Sequence, residues 1–219
     1  MKKITITLAA LLIFATSCKQ AEDKAKDETT VTTETTTTVV EEETAPVPAM
    51  DSAAVEKAWN DYMTPGEMHK SLAMDNGTWN QEMTMWMTPD APPTKHKMTA
   101  VSKMILGGRY QETVHTGNFE GMPFEGKSLV GFDNASQKMV SSWVDNMSTG
   151  MMHMTGTYDE STKTIEFKGT ITDPVTKKEK PVRELFTMVD DNTRKMQMFD
   201  VTPEGKEYKS MEIIMTRKK

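Results

Sequence analysis

Two Asp-Asn pairs punctuate the stretch "FDNASQKMVSSWVDNMSTG", at Asp133-Asn134 and again at Asp145-Asn146. Paired carboxylates facing one cleft can do general acid–base work, glycoside hydrolysis included. Asp and Asn between strands instead bond their own backbone and start turns. The first pair precedes Ala-Ser-Gln-Lys and reads as such a turn. The second pair is a candidate for chemistry, because alternation puts Ser141, Trp143 and Asp145 on one face. If that face is interior, an aromatic wall leads up to a carboxylate at the rim of a small-ligand pocket. If it is exterior, Val140 and Val144 fill the core and Asp145 caps a hairpin. Arg109 follows Gly107-Gly108, where it would bind an anionic group or pair with a neighbouring carboxylate. Glu120 and Glu125 flank "GMPF", which reads as a lid-like loop.

Other enzyme signatures are missing. "GKSLVG" has one residue too many for a Gly-x-Ser-x-Gly nucleophile elbow. There is no His-Glu-x-x-His, P-loop or dinucleotide fingerprint. His69, His96 and His115 are scattered singly and read as surface residues, and no histidine follows His153, so the last strands offer haem no proximal ligand. No cofactor is expected. Methionine is abundant at 21 residues, clustered in "MTMWM", "MMHM" and "MQM". Thioethers with an imidazole suit Cu(I). Met83, Met85 and Met87 share one face, as do Met152 and Met154, which favours methionine as a flexible filler of an interior.

These side chains sit behind an export signal. Lys2 and Lys3 precede an apolar run over residues 4–14, too short to span a bilayer. Small residues 15–17 then lead to Cys18, the only cysteine. This arrangement resembles the lipobox of bacterial lipoproteins, with Ala15 where the usual Leu stands. Acylation at Cys18 would anchor the chain to a membrane, and Lys19 after it resembles lipoproteins passed to the outer membrane, periplasmic or surface face. Residues 1–17 are thus read as signal peptide. Residues 18–50 are read as the lipidated cysteine with a Thr/Glu-rich tether that has no hydrophobic period, and residues 51–219 as one domain. Of the formal net charge of −6, about −3 falls in that domain, with no basic stripe for phosphate backbones, so nucleic acid is not an expected partner.

The domain opens with two short helices. Val55, Ala58, Trp59 and Tyr62 share a helical face after Ser52 as N-cap. "TPGE" at 64–67 reads as a capping box for the second helix. After Gly77 the period becomes two, with turn residues at about ten-residue spacing. Strands are expected over 78–87, 94–106, 109–116, 124–132, 138–144, two between 151 and 171, 181–189, 194–201 and 207–216. About ten consecutive antiparallel strands must hide two edges, and an up-and-down barrel does so completely; a two-sheet β-sandwich is the alternative. "GTW" at 77–79 with Arg217 on the last strand resembles the Gly-x-Trp and covering basic residue of lipocalin-type barrels, which would make Trp79 and Arg217 a structural closure.

The central signature resembles domain of unknown function 1579, a bacterial family thought to be lipocalin-like. Its elements are Gly107-Gly108-Arg109, the Gly121 to Gly126 segment, Gly131-Phe132-Asp133-Asn134, Trp143 to Asn146 and Thr149-Gly150. "GTYD" and "GKEYKSMEIIMTRK" extend the match. The resemblance implies a fold and no agreed activity.

The resulting expectation is an all-β, lipid-anchored envelope protein whose barrel binds a small, largely apolar ligand without catalysis. Candidate ligand-binding residues are Arg109, Glu125, Trp143, Asp145 and Thr149, with Arg109, Trp143 and Asp145 near the mouth. The alternatives are a hydrolase or isomerase using Asp145 or Glu125, a Met/His copper site, and a structural protein contacting others through its surface.

Overall fold

The computed structural model describes residues 51–219, so the expected signal peptide, Cys18 and tether lie outside the described residues. Two helices, α1 (Ser52–Met63) and α2 (Glu67–Ala73), precede ten strands. The strands are β1 (Gly77–Met85), β2 (Thr94–Ile105), β3 (Tyr110–Phe119), β4 (Met122–Asp133) and β5 (Lys138–Asp145), followed by β6 (Met152–Asp159), β7 (Thr164–Thr172), β8 (Glu179–Asp190), β9 (Thr193–Val201) and β10 (Glu207–Arg217). Each pairs antiparallel with its sequence neighbour, and β1 pairs with β10 to close the ring. Closure leaves no edge, which excludes the two-sheet sandwich.

Alternation decides what fills the ring. Trp79, Gln81 and Met83 of β1 are buried, and so are Met98, Ala100 and Ser102 of β2, with outward-facing Asn80, Glu82, Thr99 and Val101 between them. Inner side chains gather into two apolar clusters rather than one. One holds Leu72, Met139, Met154, Ile165, Phe167 and Val182, and the other Met83, Met98, Phe124 and Ile213.

The segment expected as a lid-like loop is instead a tight hairpin. Phe119 pairs with Met122, and Glu120 and Gly121 both take positive φ, at 52° and 93°, as a type I′ turn requires. Positive φ is cheap for Gly121, which has no Cβ.

The helices also start differently. The N-cap of α1 is Asp51, whose carboxylate accepts from Ala53 N, rather than Ser52. Thr64 closes α1 by donating to Asn60 O at 2.7 Å, so α2 begins later, with Gly66 as N-cap. The imidazole of His69, rather than the carboxylate of Glu67, accepts from Gly66 N at 3.0 Å. His69 is buried, edge-on to Phe132.

A plug closes one end of the barrel. Leu72 sends its side chain into the first cluster, and its carbonyl accepts from Gln111 Nε2 at 2.6 Å. Trp79, only 3% exposed, donates to Asp75 O at 2.9 Å. Arg217 lies over its ring at 4.3 Å and donates to Met74 O and Asn76 O. Arg194 approaches the same ring at 5.3 Å. The turns β1–β2, β3–β4, β5–β6, β7–β8 and β9–β10 lie at the other end.

Candidate ligand site in the barrel lumen

Trp143 points inward, so Val140 and Val144 lie on the outer face. Its indole stacks on Phe124 (6.4 Å, 20°) and meets His115 edge-on at 5.0 Å. The ring has room because residue 126 is glycine: a Cβ there would sit 2.6 Å from the indole. Trp143 Nε1 donates to Asp145 Oδ2 at 2.7 Å.

Asp145 is thereby committed. Its other oxygen accepts from Met147 N at 2.9 Å. Burial opposes its ionisation, but hydrogen bonds from Trp143, Met147 and Ser148 outweigh that and hold the carboxyl below its ordinary value. Asn146 joins strands: its Oδ1 accepts from Glu125 N and its Nδ2 donates to Pro123 O. Glu125 is exposed, with Lys127 at 3.9 Å. Glu125, Asp145 and Asn146 border a shallow rim depression of about 350 Å³. Thr149 is exposed in the β5–β6 connection.

Arg109 is a correction. It lies in the β2–β3 connection at the plugged end, away from the mouth, and donates to Met63 O at 2.6 Å and Leu106 O at 3.3 Å. Asn134, from the first Asp-Asn pair, donates to the carbonyls of Asp61 and Thr64 at 2.9 and 2.8 Å. Arg109 and Asn134 therefore hold the C-terminal end of α1 through its unpaired carbonyls. Asp133 starts the expected turn, accepting from Ala135 N and Ser136 Oγ.

The histidines are a second correction. His115 is half-buried midway along β3 with its Nε2 enclosed, and its Nδ1 lies 3.1 Å from Oε1 of Gln81, itself 1% exposed. Burial pushes the imidazole down to about 4, so it is neutral. Gln81 Nε2 and His115 Nε2 have no partner among the described residues. His96 is half-buried, edge-on to Phe119 at 4.6 Å.

Sequence reasoning missed Glu184. It alternates with buried Val182, so it faces inward from the middle of β8. In the ring order β8 stands opposite β3. Glu184 is surrounded by protein on the inner face yet only half-buried as a residue. Burial alone pushes its carboxyl up to about 7. Met196, Met211 and Met215, inward on β9 and β10, are likewise only partly buried. Several inward side chains of the β8–β10 wall are therefore incompletely covered. The period-two signal was present, since Glu184 falls between Val182 and Phe186.

The methionines do not assemble with a histidine at "MMHM": Met154 is buried, whereas His153 is exposed on the opposite face. Among the described residues no group of three or more His, Cys, Asp or Glu converges as for a metal.

This architecture defines a closed, ten-stranded, up-and-down β-barrel, plugged at one end and lined by thioethers, aromatics and a few polar groups. The chain belongs to the DUF1579 family, described as "Protein of unknown function", whose sequence model matches residues 64–217. Among solved structures, it is similar to the crystal structure of Rv2717c from M. tuberculosis, with a TM-score of 0.52 and 11% identity, covering 71% of this chain and 100% of that one. At that identity the likeness is one of fold. No curated protein matches the chain.

Proposed function

We propose that the barrel is a non-catalytic carrier of a small, largely apolar ligand, anchored to the outer membrane by lipid on Cys18 and raised from it by the Thr/Glu-rich segment. The observation that supports this is the incomplete burial of inward-facing Met196, Met211, Met215 and Trp143, which leaves apolar surface inside a closed ring. Trp143 and Asp145 form one fixed wall near the mouth, with Glu125 and Thr149 at the rim.

The test uses the full chain carrying Cys18→Ser, to dispense with the acyl anchor. Titration with Nile red, a neutral apolar dye, gives saturable one-site binding. Met196→Trp with Met215→Trp fills the lumen and abolishes it. Dye binding that survives the filled lumen, or never saturates, refutes the carrier reading. Radiolabelled palmitate incorporation that persists in Cys18→Ser refutes the anchor.

Turnover by a hydrolase or isomerase is the second reading, favoured only by the shared rim depression of Asp145 and Glu125. Asp145 already accepts from Trp143 and Met147, which leaves it poorly placed to shuttle a proton. Activity abolished by Asp145→Asn or Glu125→Gln in a substrate screen would establish it.

A further inference from the structure

Within the lumen, Glu184 has chemistry that an apolar cargo does not use. Its cross-strand neighbours on the two sides are Phe167 and Met198, both apolar. Among the described residues its carboxyl has no hydrogen-bond or ion-pair partner, and the residue faces inward while only half-buried. The other groups able to answer it are engaged or uncharged. Towards the mouth, Lys180 is held by Asp200 at 2.7 Å and lies 3.8 Å from Asp173. At the plugged end, Arg194 is held by Asp75. Across the ring, His115 is a neutral imidazole bonded to Gln81. Asp145 is tied to Trp143.

A buried carboxyl with no cation of its own is costly to ionise, and the partner that removes that cost is a cation delivered with the ligand. The rest of the wall suits such a molecule. Thioether and aromatic side chains take an apolar body, and aromatic faces attract an ammonium group. An anionic head would meet a second negative charge and find no free cation.

We infer that the lumen takes an apolar amine, a molecule with a hydrocarbon body and an ammonium head that pairs with the Glu184 carboxylate. This rests on the carrier reading above and names the class of its cargo. Glu184 is titratable near neutrality, its carboxyl pushed up to about 7, so amine binding displaces its proton. Affinity then follows the ionised fraction of Glu184 and rises about tenfold between pH 6 and pH 8.

Competition against Nile red on the full chain with Cys18→Ser tests this, using decylamine, 1-decanol and decanoate at pH 8. Decylammonium is expected to displace the dye at a concentration about tenfold below that of 1-decanol, with decanoate the weakest. Glu184→Gln brings decylammonium to the level of 1-decanol and removes the pH dependence. Should Glu184→Gln fail to fold, the pH series on the Glu184 protein decides the matter, because decylammonium affinity flat from pH 6 to pH 8 overturns the inference. Equal competition by amine and alcohol, or a preference for decanoate, overturns it too, while saturable dye binding leaves the carrier reading standing. Absence of dye binding removes both.

Discussion

Arg194 on β9 grips Asp75, 119 residues earlier, with two N–H groups on one carboxylate oxygen, at 3.0 and 2.6 Å. Both residues are buried, and the guanidinium also donates to the Asp190 and Thr193 carbonyls. The contact fastens the plug after α2 to the last-built wall of the barrel. Removing the cation strands a buried carboxylate, so Arg194→Met is expected to cost about 3–5 kcal/mol. The double variant with Asp75→Asn recovers part of that loss. Urea unfolding of the four-member cycle measures it, and additive losses would show that the pair is not coupled.

Helix α1 has no buried residue, and Trp59 on its apolar face is 59% exposed. Its position therefore depends on carbonyl contacts from Arg109 and Asn134. Asn134→Ala with Arg109→Ala removes bonds worth about 1 kcal/mol each. Hydrogen exchange over residues 52–63 is expected to accelerate by about tenfold or more, while the barrel strands keep their protection. Uniform loss of protection across the strands would contradict this.

Much of the barrel was legible because its signal is local. Period-two burial on β1 and β2, the 107–108 turn and the Trp79–Arg217 pairing all follow from neighbouring residue types. The hairpin at Glu120-Gly121 was not legible, because Gly117 beside it reads as a chain breaker. In the fold Gly117 stays inside β3, where a Cβ would come 2.7 Å from Met98 Cγ, so its smallness serves packing.

The site was less legible than the fold. On β5 both alternating sets contain apolar residues, and only closure of the ring decides that Trp143 faces inward. Arg109 looked like a ligand contact, but its partner is a helix carbonyl contributed by Met63, which no local spacing announces. The isolation of Glu184 depends on strands β7 and β9 supplying Phe167 and Met198 as its neighbours. His115 reads as a surface residue in sequence because its partner Gln81 lies 34 residues earlier, on β1.

Gly126 underlies the Trp143 indole, and any Cβ there collides with it at 2.6 Å. Gly126→Ala is expected to push the ring off Phe124 and break its bond to Asp145. Overpacking of this kind costs about 1–3 kcal/mol. The tryptophan emission should shift red and Nile red affinity should fall, whereas Gly150→Ala, where a Cβ meets nothing within 4 Å, changes neither. Unaltered emission in Gly126→Ala would show that the indole is not seated on that glycine.

Two lumen groups titrate in opposite senses. His115, pushed down to about 4 from 6.5 by burial, takes up its proton more readily when unfolded. Its contribution is present above pH 6.5 and is lost as pH falls towards 4. Glu184, pushed up to about 7 from 4.5 by burial, holds its proton more tightly when folded, so its contribution is present below pH 4.5 and is lost as pH rises through 7. Between pH 4.5 and 6.5 the two slopes oppose, so these two groups largely cancel in the ligand-free protein. Glu184→Gln unmasks the histidine, and stability then climbs with pH across that window by about 2 kcal/mol, an order-of-magnitude figure. His115→Gln unmasks the carboxyl, and stability then declines across the same window relative to the unsubstituted protein. His69, also held below its ordinary value by burial, and Glu207 and Glu212, held low by hydrogen bonds from Arg183 and Lys209, add an upward slope common to all three proteins, so the differences between their curves carry the check. Urea midpoints at pH 4.5, 5.5 and 6.5 for the three proteins provide the check. Parallel curves would mean that neither group titrates abnormally, and the lumen would then have to be far wetter than the burial of Gln81 and His115 implies.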